Sequence, residues 1–331
     1  MTSPTTAAPP GTSLVLGAGG FLGGHLCEML VAAGGPVRGF DRSGFDPLAF
    51  PHLAGVAWHS GDFGRAGDLD AALDGCDVVY HLAATTVPAT SNADVVADLE
   101  SNVSATLRML EGARTAGVRR VVFVSSGGTV YGIPRQLPIR EDAPTDPICA
   151  YGVHKLAIEK YLHLWRHLHG LDSVVLRTAN PYGERQRHDS GQGAIPAFIA
   201  RALRGQPLQV WGDGSVVRDY LHVDDVARAL VLAGRSARAG GVYNIGSGVG
   251  HSLNEIVAGL ERALGQRIPV EHLDGRAFDV PASVLDVSLA ARELGWRPAV
   301  PLDEGLRRTV RWMRTLPELA APGGQKMLSP T

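Results

Sequence analysis

"LVLGAGGFLG", Leu14 to Gly23, decides the reading of the fold. A short apolar run gives way to glycines, and Gly17, Gly20 and Gly23 fall between a predicted strand and a predicted helix. Glycine at such points permits a tight turn and a close approach of backbone N–H groups to a pyrophosphate, which then sits at the positive end of the helix. These spacings also occur in plain turns. What supports a dinucleotide site is Asp41, which closes the next strand, "VRGFD", at the distance expected of a carboxylate that binds an adenosine ribose. A carboxylate accepts hydrogen bonds from a 2′-hydroxyl and repels a 2′-phosphate, so NAD is favoured over NADP, while Arg42 beside it keeps the phosphate form open. Asp62 and Phe63, after "VAWHSGDF", fall where the third strand should end, beside the adenine; the competing reading of Asp62 is a loop or helix-capping residue.

Outward from this stretch, short β-branched runs alternate with longer amphipathic ones: "PVRGFD", "DVVYHLA", "ATLRMLEGARTAG", "RRVVFVSS". Parallel neighbours need a helix-length connection, so the alternation predicts an α/β fold with a doubly wound parallel Rossmann sheet, ligands lying at the carboxyl ends of its strands. Beyond "SVVLRTANPYG" the pattern loosens into Gly/Pro-rich loops, which predicts a smaller, mixed α/β C-terminal domain over the crevice. "GVYNIG", Gly241 to Gly246, is expected to rejoin the sheet. The expected organisation is a flexible leader at 1–11, a dinucleotide-binding domain at 12–180 joined by roughly 214–246, a substrate domain at 181–213 and 247–316, and a flexible tail at 317–331.

The 331 residues, 45% hydrophobic and 19% charged, suffice for a large core. A formal net charge of -2 with no block of one sign gives no footprint for nucleic acid or an acidic membrane surface. Cys27, Cys76 and Cys149 have no paired spacing, which reads as reduced thiols in a cytoplasmic protein. The leader "MTSPTTAAPPG" lacks the basic and apolar regions of a signal peptide, and no apolar run reaches spanning length.

"AYGVHKLAIEKYL" begins a predicted helix with Tyr151 and Lys155 four apart, on one face of its first turn. A phenol of pKa about 10 is a poor base at neutral pH, and a neighbouring ammonium stabilises the phenolate. On an arbitrary helix such a pair is surface decoration; the glycine-rich start and the chain order lift it here.

Together "GAGGFLG", Asp41, "HLAA" at 81–84, "SSGGTVYG", "YGVHK", "RTANPYG" and "GDGSVVRDYLHVDDVARAL" resemble the extended short-chain dehydrogenase/reductase family, and most of all its UDP-sugar 4-epimerases. The resemblance spans nearly the whole chain after the leader. It implies that Tyr151 is the base, that Lys155 holds the nicotinamide ribose, and that Asn102 in "LESNVSATLRML" helps seat the cofactor end. It also implies that NAD is lined by Gly17, Gly20, Phe21, Leu22, Gly23, Asp41, Asp62, Phe63, Leu82, Ala83, Ala84, Asn102 and Ser125. The implied reaction inverts carbon 4 of a nucleotide-diphosphate sugar through a 4-keto intermediate, with Tyr151 taking and returning the hydroxyl proton.

Relatives that dehydrate or decarboxylate a sugar carry acidic residues just before "VYG"; here those positions are Gly128 and Thr129, and no carboxylate is present to protonate a leaving hydroxyl. Many 4-epimerases also carry a third serine where this chain has Gly127. Alternation along a strand would point Ser125, Gly127 and Thr129 the same way, so Thr129 is expected to supply the missing hydroxyl, with Ser126 the second candidate if the glycines bend the strand end.

On the substrate side, Asn180, Arg218 and Arg276 resemble the family residues that grip the diphosphate, a task that suits a guanidinium. Trp211 matches the aromatic that stacks near the base, and Ser283 a position that gates the substituent at sugar carbon 2. A small residue there predicts tolerance of N-acetylhexosamines. His163 and His167 have metal-ligand spacing but no third ligand, and no metal is expected. The expected partner is a nucleotide-diphosphate sugar, UDP-linked, and the expected assembly a homodimer. Alternatives on the same fold are a dehydratase, a decarboxylase or a 4-ketoreductase; an alternative of another class is a non-catalytic NAD-sensing protein.

Overall fold

The computed structural model describes residues 11–320 apart from 66, 191, 238–239 and 276–279. The first strands are β1 (Thr12–Leu16), β2 (Val37–Asp41), β3 (Val56–Ser60), β4 (Cys76–His81), β5 (Arg120–Ser126) and β6 (Asp172–Thr178). They are followed by β7 (Asn180–Tyr182), β8 (Leu208–Trp211), β9 (Val217–His222), β10 (Gly241–Ile245), β11 (Gly250–Ser252), β12 (Val270–Leu273) and β13 (Ala282–Ser283).

The central sheet runs β3-β2-β1-β4-β5-β6-β10, parallel throughout. The strand order reverses direction between β1 and β4, which opens a crevice at their carboxyl ends. Both faces are covered, as a parallel sheet requires. In β5, Val121 and Phe123 pack on one face with Leu14, Leu16 and Met109, whereas Val122 packs on the other with Val15, Tyr80 and Leu230. Period-two alternation thus survives even in a run of consecutive apolar residues.

A third core gathers Ile199 from the helix Ala194–Leu203, Ile256 and Leu260 from Leu253–Leu264, and Leu306 and Val310 from Leu302–Met313. Above it, β9 pairs with β11 antiparallel and with β7 and β13 in parallel, and β8 pairs with β12. The stretch 214–246 is therefore shared between the two parts. Its β9 belongs to the small sheet, while the helix Val223–Arg235 packs on the helix Phe21–Ala32 and β10 edges the central sheet. At the other end, Pro317–Ala320 forms a helical turn whose Leu319 is buried in the third core, so packed structure extends into the expected tail.

Candidate active site

The carboxyl ends of β1, β2 and β4 form a backbone cradle. Gly17 has φ 84, a left-handed conformation, and a Cβ there would come within 3.1 Å of the Ala83 nitrogen. A Cβ on Gly23 would stand 2.1 Å from the carbonyl oxygen of Gly17, so only glycine lets the helix start against the turn. Gly20 caps that helix, Phe21–Ala32, with no side-chain hydrogen bond, leaving first-turn N–H groups for an anion.

Asp41 accepts from the N–H groups of Gly19 and Arg42, both at 2.9 Å, which aims its carboxylate beside the turn. Leu82 donates to the carbonyl of Leu16 and continues the strand end through Ala83 to the exposed Ala84. Phe63 lies 5.1 Å from the His81 ring. Asp62, exposed, accepts from Gly64 N–H at 2.8 Å in a local turn. Phe21 sets its ring edge-on to His25, and Leu22 packs on the core, so these two offer the cradle their backbone.

Tyr151 and Lys155 stand at the start of the helix Ala150–His169. Its N-cap, Cys149, provides no side-chain bond; the orphan donors of Ala150 and Tyr151 go instead to Asn92 Oδ1 at 2.9 Å and Ser91 Oγ at 3.0 Å. Lys155 is buried, donates from Nζ to the Val124 carbonyl at 2.9 Å, and lies 5.5 Å from the centre of the Tyr151 ring. Burial brings the ammonium down to about 8, with Glu159 and Asp98 opposing.

Burial also pushes the Tyr151 phenol up to about 12, with Cys149 and Asp98 adding to the rise. The phenol thus stands above its ordinary value and not below it as the Tyr/Lys spacing led one to expect, with desolvation the largest cause.

Asn102 sits in a π-helical turn, Glu100–Ser104, between the α-helices Val95–Leu99 and Ala105–Thr115. Its Nδ2 donates to Asp98 Oδ1 at 2.6 Å and to Thr85 Oγ1 at 2.7 Å, and its Oδ1 accepts from the Thr85 N–H at 3.1 Å. Asn102 lines one cavity with Ala83, Thr86, Asp98, Tyr151, His154 and Lys155. Asp98 and His154 were not anticipated. Their signal was present, Asp98 lying four before Asn102 and His154 between the Tyr and the Lys, but only the fold joins them.

The hydroxyl row departs from expectation. β5 ends at Ser126, and the N–H groups of Thr129 and Val130 turn back to the Ser126 carbonyl, so strand alternation does not extend to Thr129. Ser125 is buried and donates to Glu159, which is paired with Arg177 at 2.7 Å; its hydroxyl serves that network and does not face the cavity. A Cβ on Gly127 would stand 2.5 Å from Leu285 Cδ1, so buried Leu285 takes the space of a third serine. Thr129 Oγ1 is buried with no hydrogen-bond partner, while its carbonyl lies against the helix Ala150–His169, 2.9 Å from where a Gly152 Cβ would be.

Across the crevice, a cleft of about 230 Å³ is lined by Asn180, Gln186, Trp211, Arg218 and Tyr220 among others. Asn180 Nδ2 donates to the Asp219 carbonyl at 3.0 Å, and Arg218 donates to the Val280 carbonyl at 2.6 Å. Asp219, buried, accepts from Ser247 N–H and Oγ and from Leu285 N–H, tying β9 to the loop beyond β10. Ser283 is buried on β13, in register with Arg218. Arg276 lies outside the described residues. His163 and His167 are exposed, apart from this site.

The residues present fit a dinucleotide: a glycine cradle closed to any Cβ, a carboxylate at the end of β2, and a helix N-terminus without a side-chain cap. Residues 13–246 match the NAD dependent epimerase/dehydratase family, and the chain belongs to it. The UDP-glucose 4-epimerase of Mycolicibacterium smegmatis is 39% identical over 308 residues, 91% of this chain and 98% of that protein. The UDP-glucose 4-epimerase of Thermotoga maritima, solved with UDP-glucose, superposes with a TM-score of 0.86 at 34% identity, covering 92% of this chain and 98% of that one. The Thermus thermophilus enzyme, solved with NAD, superposes at 0.84 and 35% identity, covering 92% and 99%.

Proposed function

We propose that the protein is an NAD-dependent isomerase that inverts carbon 4 of a UDP-linked hexose. The observation that carries this reading is half-buried Tyr151 paired with buried Lys155 beside the glycine cradle, facing a turn, Gly127 to Gly132, that carries no carboxylate. Bound NAD supplies a reversible two-electron acceptor and, when oxidised, a positive charge that favours the phenolate.

Tyr151, once ionised, takes the proton of the sugar 4-hydroxyl as the hydrogen of carbon 4 would leave with its electron pair for the bound cofactor, and it returns that proton to the same oxygen when the electron pair and hydrogen come back to the other face of the turned keto sugar. Lys155, fixed by Val124, holds its ammonium beneath the phenol, and its burial keeps water from competing for the proton. Thr129 offers the second hydroxyl through an oxygen that has no partner of its own; Ser126 is the alternative. Asn180, Trp211, Arg218 and Arg276 hold the nucleotide diphosphate. That hold is firm at the diphosphate and loose at the sugar, so the keto sugar can turn over. The small side chain of Ser283 leaves room for an N-acetyl group.

Val95, Val96, Leu99 and Val153 are exposed apolar residues on the helices Val95–Leu99 and Ala150–His169, and this apolar surface supports a homodimer. Among the described residues no helix is long and apolar enough to cross a membrane. We place the protein in the cytoplasm, where its cysteines would stay reduced. Incubation with UDP-, dTDP- and GDP-sugars and identification of the products by NMR tests the reading. Epimer pairs without net nicotinamide reduction support it, and loss of water or carbon dioxide overturns it.

A further inference from the structure

Building on the epimerase reading, we propose that Asp98 and His154 form a charge couple that sets the ionisation of Tyr151. They act as positioning residues that need not touch the substrate. Asp98 is 2% exposed and His154 5%, and His154 Nδ1 stands 2.8 Å from Asp98 Oδ2. The other carboxylate oxygen accepts from Asn102 Nδ2 at 2.6 Å and from the Thr86 hydroxyl. Asp98 and His154 line the cavity that holds Tyr151 and Lys155.

A carboxylate shut away from water must be compensated. The charges around the phenol come from several elements. At the N-cap of its own helix is Cys149 and along that helix are His154, Lys155 and Glu159; from β4 comes His81; from the Val95–Leu99 helix comes Asp98. Glu159 is balanced by Arg177 at 2.7 Å. His81 is neutral, held down to about 3 by burial and by Lys155. Asp98 is thus the carboxylate of this group whose balancing charge depends on an imidazole. An imidazolium on His154 cancels the field that Asp98 places on the phenol; a neutral His154 leaves it in force.

The sign of the test follows. The phenolate is the working form, so kcat/KM rises with pH through the ionisation of Tyr151. Asp98→Asn removes a negative charge beside the phenol, and the rising limb moves to lower pH. His154→Gln keeps a donor for Asp98 but removes the ring that can carry a compensating charge, and the limb moves to higher pH. Each shift is about one pH unit. A merely structural role would lower activity in both variants without separating the limbs in opposite directions.

The experiment measures the pH profile of UDP-sugar turnover by the NAD-loaded wild type and both variants. It also titrates the phenolate directly, as the ultraviolet difference between each background and its Tyr151→Phe version. Opposite displacements support the couple; limbs and titrations that stay together overturn it. If the wild type turns over no UDP-sugar, the epimerase reading has failed, and the ultraviolet titration still decides the couple. If Asp98→Asn does not fold, an unshifted His154→Gln overturns the proposal alone.

Discussion

The ammonium of Lys155 is held 5.5 Å from the centre of the Tyr151 ring by a hydrogen bond to the Val124 carbonyl at the end of β5. The relation joins two levels of structure. Helical spacing places the two side chains on one face, and the parallel sheet brings a strand-end carbonyl beneath them to fix the longer one. The ammonium is buried and kept short of water by Phe123, whose ring centre is 4.7 Å away.

Tyr151→Phe removes one oxygen from a half-buried ring and leaves the packing intact. Turnover is expected to fall by about a thousandfold, within the range for a lost general base. NAD binding should persist. Steady-state rates together with cofactor binding by fluorescence check this; full activity in the variant would remove Tyr151 from its role.

A basic limb should belong to Lys155. Burial places its ammonium at about 8, so the charged form is lost as pH rises through that value, and kcat/KM of the free enzyme should decline above it. Lys155→Met should lose most activity and abolish that decline. The stability linkage runs the other way. Between about 8 and the ordinary lysine value the unfolded chain binds more protons, so this group favours folding as pH rises.

Gly127→Ser supplies the hydroxyl that the family resemblance leads one to expect here, yet it should harm this protein. The new Cβ would stand 2.5 Å from Leu285 Cδ1 in a core with Val130, Tyr131 and Ile139. A cost of about 1–3 kcal/mol is expected from overpacking. Thermal unfolding checks it, and Leu285→Ala should bring Gly127→Ser closer to its own background than to the wild type. Thr129→Val, in contrast, should leave stability nearly unchanged and lower kcat.

Asp41→Ala should weaken NAD by about 1.5–3 kcal/mol, the range for a hydrogen bond to a charged group, which is roughly ten- to hundredfold in Kd. The loss for NADP should be smaller, since a 2′-phosphate no longer meets a carboxylate. Titration of both cofactors by calorimetry separates the two.

Local signals carried the fold because they are short-range: glycines that a Cβ would block at Gly23, a carboxylate closing β2, and Tyr151 and Lys155 one helical turn apart. Beyond those spans the sequence is silent. The direction of Thr129 depends on where β5 stops pairing with β6, which "SSGGTVYG" does not state. The capture of Ser125 by Glu159 and of Asp98 by His154 joins residues 34 and 56 positions apart. The volume at Gly127 is filled from Leu285, which arrives with the small sheet. Each of these is a tertiary contact between segments that the local pattern treats separately.

The most direct measurement follows purified protein, supplied with NAD and UDP-glucose, by proton NMR in a sealed tube. The account predicts that UDP-galactose grows to a constant ratio, reached equally from either sugar, with no lasting NADH. A 6-deoxy-4-keto product, a released carbon dioxide, stoichiometric consumption of the dinucleotide, or a signal left unchanged with every nucleotide sugar tried would contradict it.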